Sequence, residues 1–278
     1  MSEVIDDRGI RVDYIVDGTG PPVLVLHGAY STRDELIPVL GPLLRDRGLR
    51  GVHPDLPGMG ASTPTNAQSA DDVLEILDAL VAEEIGPEPF AVIGHSFGAY
   101  LARGVAARHP AQVRGLALIS PYVDDFEPAP ERVVEDDGGL GEIDDDVRGD
   151  YLGYFVVRTA ATRERFERLV RPSLGRYDGA AVDRIMTASV LTPDPDVAPY
   201  GGPVAVLLGR DDGFIGWRAQ RALADLHPRA TLVVADGAGH ALVHERPVLV
   251  RAVLEDWLDR AAVTEVDDGR GRSATLGT

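Results

Sequence analysis

The residue pattern predicts an α/β fold: a mostly parallel, twisted sheet with helices on both faces and a helical cap inserted late in the chain. Three observations carry this. Residues 23–26, 90–93, 115–119 and 203–208 are short continuous apolar runs, as expected of strands buried on both faces. Amphipathic helical spacing fills most of the stretches between them, the alternation that builds a parallel sheet. Between residues 122 and 199 the alternation stops and only helical patterns follow. The implied organisation is a core of residues 1–121 and 200–262, a cap of residues 122–199, and a disordered tail over residues 263–278, where the composition turns polar and glycine-rich.

Taken in order, residues 10–16 alternate apolar and polar, which suits an antiparallel edge strand, and Asp17-Gly18-Thr19-Gly20 is turn chemistry. Pro21-Pro22 leads into the run at 23–26, which stops at His27-Gly28. Residues 33–47 have helical spacing through Leu36, Val39, Leu40, Leu43 and Leu44, but Pro38 and Pro42 predict a short or irregular helix. A brief strand at 51–53 gives way to a glycine-rich loop over 54–62. Val73, Ile76, Leu77, Leu80 and Val81 mark an amphipathic helix over 69–84, with Ser69 as its N-cap. The helix after Ser96 ends at His109-Pro110.

The rhythm breaks at Ser120-Pro121. Residues 124–150 are strongly acidic, with only Arg132 and Arg148 to balance them, and are expected to form a solvated loop. Helical patterns follow over 147–159, 162–170 and 179–190. The sheet then resumes at 203–208, with a helix over 217–226, a last strand over 231–234 and a closing helix over 247–261.

Bulk properties exclude several functions. The formal charge of −18 over 278 residues repels nucleic acid and anionic lipid. No run approaches the roughly 18 apolar residues of a membrane span. Every basic residue is arginine, so a lysine nucleophile or Schiff base is ruled out, and the lack of cysteine removes thiolate chemistry and disulfides. The histidines are scattered without metal-binding spacing, and no metal or cofactor is expected. The acidic amino terminus, Met1-Ser2-Glu3-Val4-Ile5-Asp6-Asp7, lacks the regions of a signal peptide, which points to the cytoplasm.

The chemistry centres on Gly94-His95-Ser96-Phe97-Gly98, which ends one apolar run and opens a helical pattern. So abrupt a turn forces its middle residue into a strained backbone and requires glycine on either side of it. Ser96 is therefore the candidate nucleophile, and a serine needs a base. Functional groups of parallel sheets gather at the carboxyl ends of strands. His27, His53 and His240 meet that condition, and the flexible Gly237-Ala238-Gly239 favours His240. His109 and His227 precede prolines at helix ends and suit C-caps, while His244 beside Glu245 reads as a surface or supporting residue. A carboxylate pair, Asp211-Asp212, follows the strand at 203–208 and supplies candidates to orient the imidazole.

These motifs, with Leu26-His27-Gly28 and residues 55–62, resemble those of the α/β-hydrolase superfamily over about residues 12–261. The resemblance implies a sheet of that type, selects Asp212 over Asp211, which becomes a turn-capping neighbour, and gives the order Ser96, Asp212, His240. Some members place the acid one strand earlier, which keeps Asp124 and Asp125 in view. The resemblance also implies an oxyanion hole from the backbone N–H groups of Ala29 and Phe97, with His27 bracing that loop. His27, Tyr30, Tyr100 and Trp217 are the expected pocket residues. A serine in the elbow, where dehalogenases and epoxide hydrolases carry aspartate, implies a serine hydrolase acting on an ester, lactone or related acyl compound of small to medium size. The same triad would also serve C–C bond cleavage, perhydrolysis or a lyase or cyclase step. A non-catalytic small-ligand receptor on the same scaffold is the alternative of a different class.

Overall fold

The computed structural model describes residues 2–130, 132–197 and 199–262, so the tail expected at residues 263–278 lies outside the described residues. The chain begins β1 (Ser2–Ile5), β2 (Arg11–Gly18), β3 (Pro22–Leu26), α1 (Arg33–Asp46) and β4 (Arg50–Pro54). It continues with α2 (Ala70–Leu80), β5 (Phe90–His95), α3 (Phe97–Arg108) and β6 (Val113–Ile119). Residues 122–199 hold β7 (Glu135–Asp136), α4 (Arg148–Tyr154), β8 (Val157–Arg158), α5 (Ala160–Arg165) and α6 (Gly179–Thr187). The closing segment is β9 (Val204–Gly209), α7 (Trp217–Leu226), β10 (Ala230–Ala235), α8 (Leu242–Glu245) and α9 (Pro247–Ala262).

Eight strands form one sheet in the order β1-β2-β4-β3-β5-β6-β9-β10. The pairs β1–β2 and β2–β4 are antiparallel and the remaining pairs parallel. Side chains of a strand point alternately to its two faces, and the buried runs obey this. Leu24, Leu26, Val92 and Leu118 pack on one face with Val73 of α2 and Leu101 of α3. Val23, Val25, Ile93 and Ile119 pack on the other with Leu36 and Leu40 of α1 and Trp257 of α9. The order in which strands join the sheet reverses between the parallel strands β3 and β5, β4 lying on one side of β3 and β5 on the other, so their carboxyl ends flank the crevice where ligands of such sheets bind.

Several elements depart from expectation. The strand at 11–18 is not the edge, because β1 pairs outside it with Val4 opposite Val12. Only Val4 of β1 is buried, which left too little pattern to read. Helix α1 runs unbroken for 14 residues through Pro38 and Pro42. An interior proline costs a helix about 3 kcal/mol, which burial of Leu36, Leu40, Leu43 and Leu44, at about 1.5–3 kcal/mol each, offsets. The final helix is preceded by a separate short one, α8. Ser69 caps α2 as expected, accepting from the Asp72 N–H at 3.2 Å.

The acidic run at 124–150 is not simply a solvated loop. Asp137 accepts from the N–H groups of Gly139 and Ala160 and pairs with Arg163, which also holds Glu142. Asp144 pairs with Arg171. These arginines lie about one helix further along the chain, beyond any local reading. Behind them Tyr151, Phe155 and Phe166 form an apolar cluster that includes Ala241, the neighbour of His240. No helix among the described residues is long and apolar enough to cross a membrane.

Candidate active site

Ser96 stands between β5 and α3 at φ 52° and ψ −120°, a conformation costing a non-glycine residue about 1–3 kcal/mol. The neighbouring glycines let the turn close. A Cβ on Gly98 would lie 2.3 Å from the Leu26 carbonyl oxygen and 2.4 Å from that of His27, and one on Gly94 would lie 2.3 Å from the Gly98 oxygen. The strained turn is held on both sides, as the Ser96 N–H donates to Ile119 at 3.0 Å and its carbonyl accepts from Tyr122 at 3.0 Å.

The structure brings the three separated side chains together. His240 Nε2 lies 3.0 Å from Ser96 Oγ, and its Nδ1 lies 2.9 Å from Asp212 Oδ2. With Nδ1–H donating to the carboxylate, Nε2 is left free to accept from the serine hydroxyl. Asp212 is fully buried, and its Oδ1 accepts from the N–H groups of Phe214 and Ile215 at 2.9 and 3.0 Å. Its Oδ2 also accepts from Gln220 Nε2 at 3.0 Å. Burial alone would raise its pKa, but His240 and the two N–H groups outweigh that and bring it down to about 2. Asp212 is therefore ionised at any working pH.

The loop carrying His240 is fixed by Glu245. One of its oxygens accepts from the Gly239 N–H at 2.6 Å, and the other from the N–H groups of Val156 and Val157 at 2.7 and 3.0 Å. Asp211 does not cap the turn with its side chain but meets Arg132 at 3.2 Å. Asp124 is paired with the Ser189 hydroxyl, at 3.4 Å.

A cavity of about 480 Å³ opens over Ser96 and His240. Tyr122, Phe126, Tyr154, Val170, Phe214 and Ile215 give it an apolar and aromatic wall. Ala29 lines it beside Ser96, whereas the ring of Phe97 is buried in the core. Of the four expected pocket residues only Tyr30 lines the cavity; it stands at φ 57° and donates to Asp183, and burial followed by that carboxylate pushes its pKa up to about 12. His27 lies behind the wall as a brace, its Nδ1–H donating to the Gly28 carbonyl at 2.8 Å and its Nε2 accepting from Leu56 at 2.9 Å. Tyr100 is buried against Phe97 and Tyr122 and does not line the cavity. Trp217 stacks with the guanidinium groups of Arg210 and Arg218 and does not line the cavity.

Sequence reasoning missed a second polar group in the wall. Glu35 of α1 is buried and accepts from Tyr154 Oη at 2.9 Å, from His244 Nε2 at 2.9 Å and from the Ser31 hydroxyl. His244 is thus fully buried and not a surface residue. Burial would raise the Glu35 pKa, but the hydrogen bond from His244 leads the effects that bring it to about 2. His95 also lines the cavity, and burial followed by the nearby His240 lowers its pKa to about 4, so its ring is neutral. The only sequence cue to Glu35 was a carboxylate beside Leu36 on an otherwise apolar helix face.

A family model described as the alpha/beta hydrolase family matches residues 23–253. A pimeloyl-[acyl-carrier protein] methyl ester esterase of Chromobacterium violaceum is 31% identical over 86% of this chain and 94% of its own length. An epoxide hydrolase of Siraitia grosvenorii is 30% identical, but over only 45% of this chain and 43% of its own length, so the chain spans less than half of that relative. Among solved structures, an alpha/beta superfamily hydrolase of Oenococcus oeni superposes with a TM-score of 0.85 at 24% identity, covering 94% of this chain and all of that one.

Proposed function

The chain belongs to the alpha/beta hydrolase family and is a hydrolase, and from that premise we propose that it cleaves an ester, lactone or related acyl bond through an acyl-enzyme on Ser96. One observation carries the reading: a single imidazole, that of His240, within hydrogen-bond reach of both a strained serine and a buried carboxylate. Ser96 Oγ attacks the carbonyl carbon while its proton passes to His240 Nε2. The tetrahedral oxyanion is met by the N–H groups of Ala29 and Phe97, the latter in the first turn of α3, where N–H groups lack intrahelical partners. His240 then protonates the departing alkoxide as the carbon–oxygen bond breaks. Water enters, gives a proton to His240, and its oxygen attacks the acyl carbon. Ser96 leaves with that proton, releasing the acid. Asp212 keeps Nδ1 protonated throughout and stabilises the imidazolium.

Chemistry through an alkyl ester of an elbow carboxylate has no support at this position, because residue 96 is serine. The apolar wall and the cavity volume suit a small or medium acyl group. Purified protein is expected to hydrolyse p-nitrophenyl acetate and butyrate with saturation kinetics. No turnover across the acetate-to-octanoate series would remove the ester reading.

A further inference from the structure

We propose that this cavity selects substrates that are neutral or cationic near the scissile bond and rejects those bearing a carboxylate there, because Glu35 fixes a buried negative charge in its wall. The inference rests on the acyl-hydrolase reading and goes beyond it to the class of substrate. The charged residues that line the cavity, the histidines apart, are Glu35 and, at its edge, Asp150. No arginine among the described residues lines it, and the chain has no lysine to do so. The donors on Glu35 from Tyr154, Ser31 and His244 satisfy its oxygens, and the hydroxyls of Tyr154 and Ser31 bring no positive charge with them. His244 donates through Nε2, and its Nδ1 is buried without a hydrogen-bond partner among the described residues. Among the described residues no guanidinium is paired with the Glu35 carboxylate, whose partners are these three donors.

The arrangement also explains why the charge is tolerated. Three donors converge on the carboxylate, and two come from elements that frame the site, Tyr154 from α4 and His244 from the α8 turn after His240. A substrate carboxylate brought within about 6–8 Å of Glu35 at an effective dielectric near 20 loses roughly 30- to 100-fold in binding. The chain's overall charge of −18 repels anions as well, but that field is screened by salt while a buried charge is screened far less.

The test compares kcat/KM for p-nitrophenyl butyrate with that for the p-nitrophenyl monoester of glutaric acid and the p-nitrophenyl ester of 4-(trimethylammonio)butyrate. The neutral ester is expected to exceed the anionic one by roughly 30-fold or more at 0.5 M salt, with the cationic ester within about threefold of the neutral one. In Glu35→Gln, whose amide oxygen can still accept from Tyr154 and His244, the neutral-to-anionic ratio is expected to fall about tenfold whatever the absolute rate. A ratio below threefold in the unaltered protein, or one unchanged in a folded Glu35→Gln variant, overturns the proposal while leaving the hydrolase reading intact. Calorimetric binding of the neutral and anionic esters to Ser96→Ala gives the same ratio without turnover: preference for the neutral ligand supports the proposal, and equal affinity overturns it even if no ester is hydrolysed.

Discussion

Turnover of p-nitrophenyl butyrate is expected to fall by about ten-thousandfold or more in Ser96→Ala, with KM little changed. The variant removes the atom proposed to form the covalent bond, and removal of any member of a coupled nucleophile–base pair forfeits most of what the whole set supplies. What survives would come from the backbone N–H groups of Ala29 and Phe97, which the substitution leaves in place. The fold is not expected to suffer, because alanine bears a Cβ as serine does and meets the same strain at φ 52°. An unchanged melting temperature with lost turnover assigns the defect to chemistry.

Asp212→Asn is expected to lower kcat by about ten-thousandfold, while Asp211→Asn changes it less than about threefold. An amide at residue 212 turns an N–H toward His240 Nδ1, so the proton moves to Nε2 and the ring can no longer accept from Ser96. The asparagine also loses the negative charge that stabilises the imidazolium. Asp211 is turned away, and its partner Arg132 is largely exposed, so that pair contributes at most about 1 kcal/mol. Measuring kcat for both variants at pH 8 separates two carboxylates adjacent in sequence. Equal losses, or a larger loss at 211, would contradict the assignment.

What could be read from the sequence followed from how local the cause was. The elbow was legible because strand, turn and helix fall within a few residues, and the requirement for glycine at 94 and 98 is a contact made inside that turn. His240 was legible because the glycines before it mark a loop at a strand end. Asp212 needed family spacing to separate it from Asp211, since only the fold shows which carboxylate faces inward. Glu35 was invisible for the opposite reason: its partners Ser31, Tyr154 and His244 are gathered from three parts of the chain. Tyr100 and Trp217 drew attention as aromatics near motifs, but nearness along the chain does not set direction, and neither lines the cavity. The acidic run is largely exposed loop, as expected; what could not be read was its pairing, because the arginines that meet it arrive with later helices.

The proposed mechanism makes Ser96 nucleophilic through His240 and Asp212. It is tested most directly by reacting the folded protein with a fluorophosphonate probe and mapping the adduct by peptide mass spectrometry. One phosphonyl group per chain is expected, carried by Ser96, with loss of esterase activity in step with labelling. Full ester turnover by protein that carries no adduct at Ser96 would contradict it.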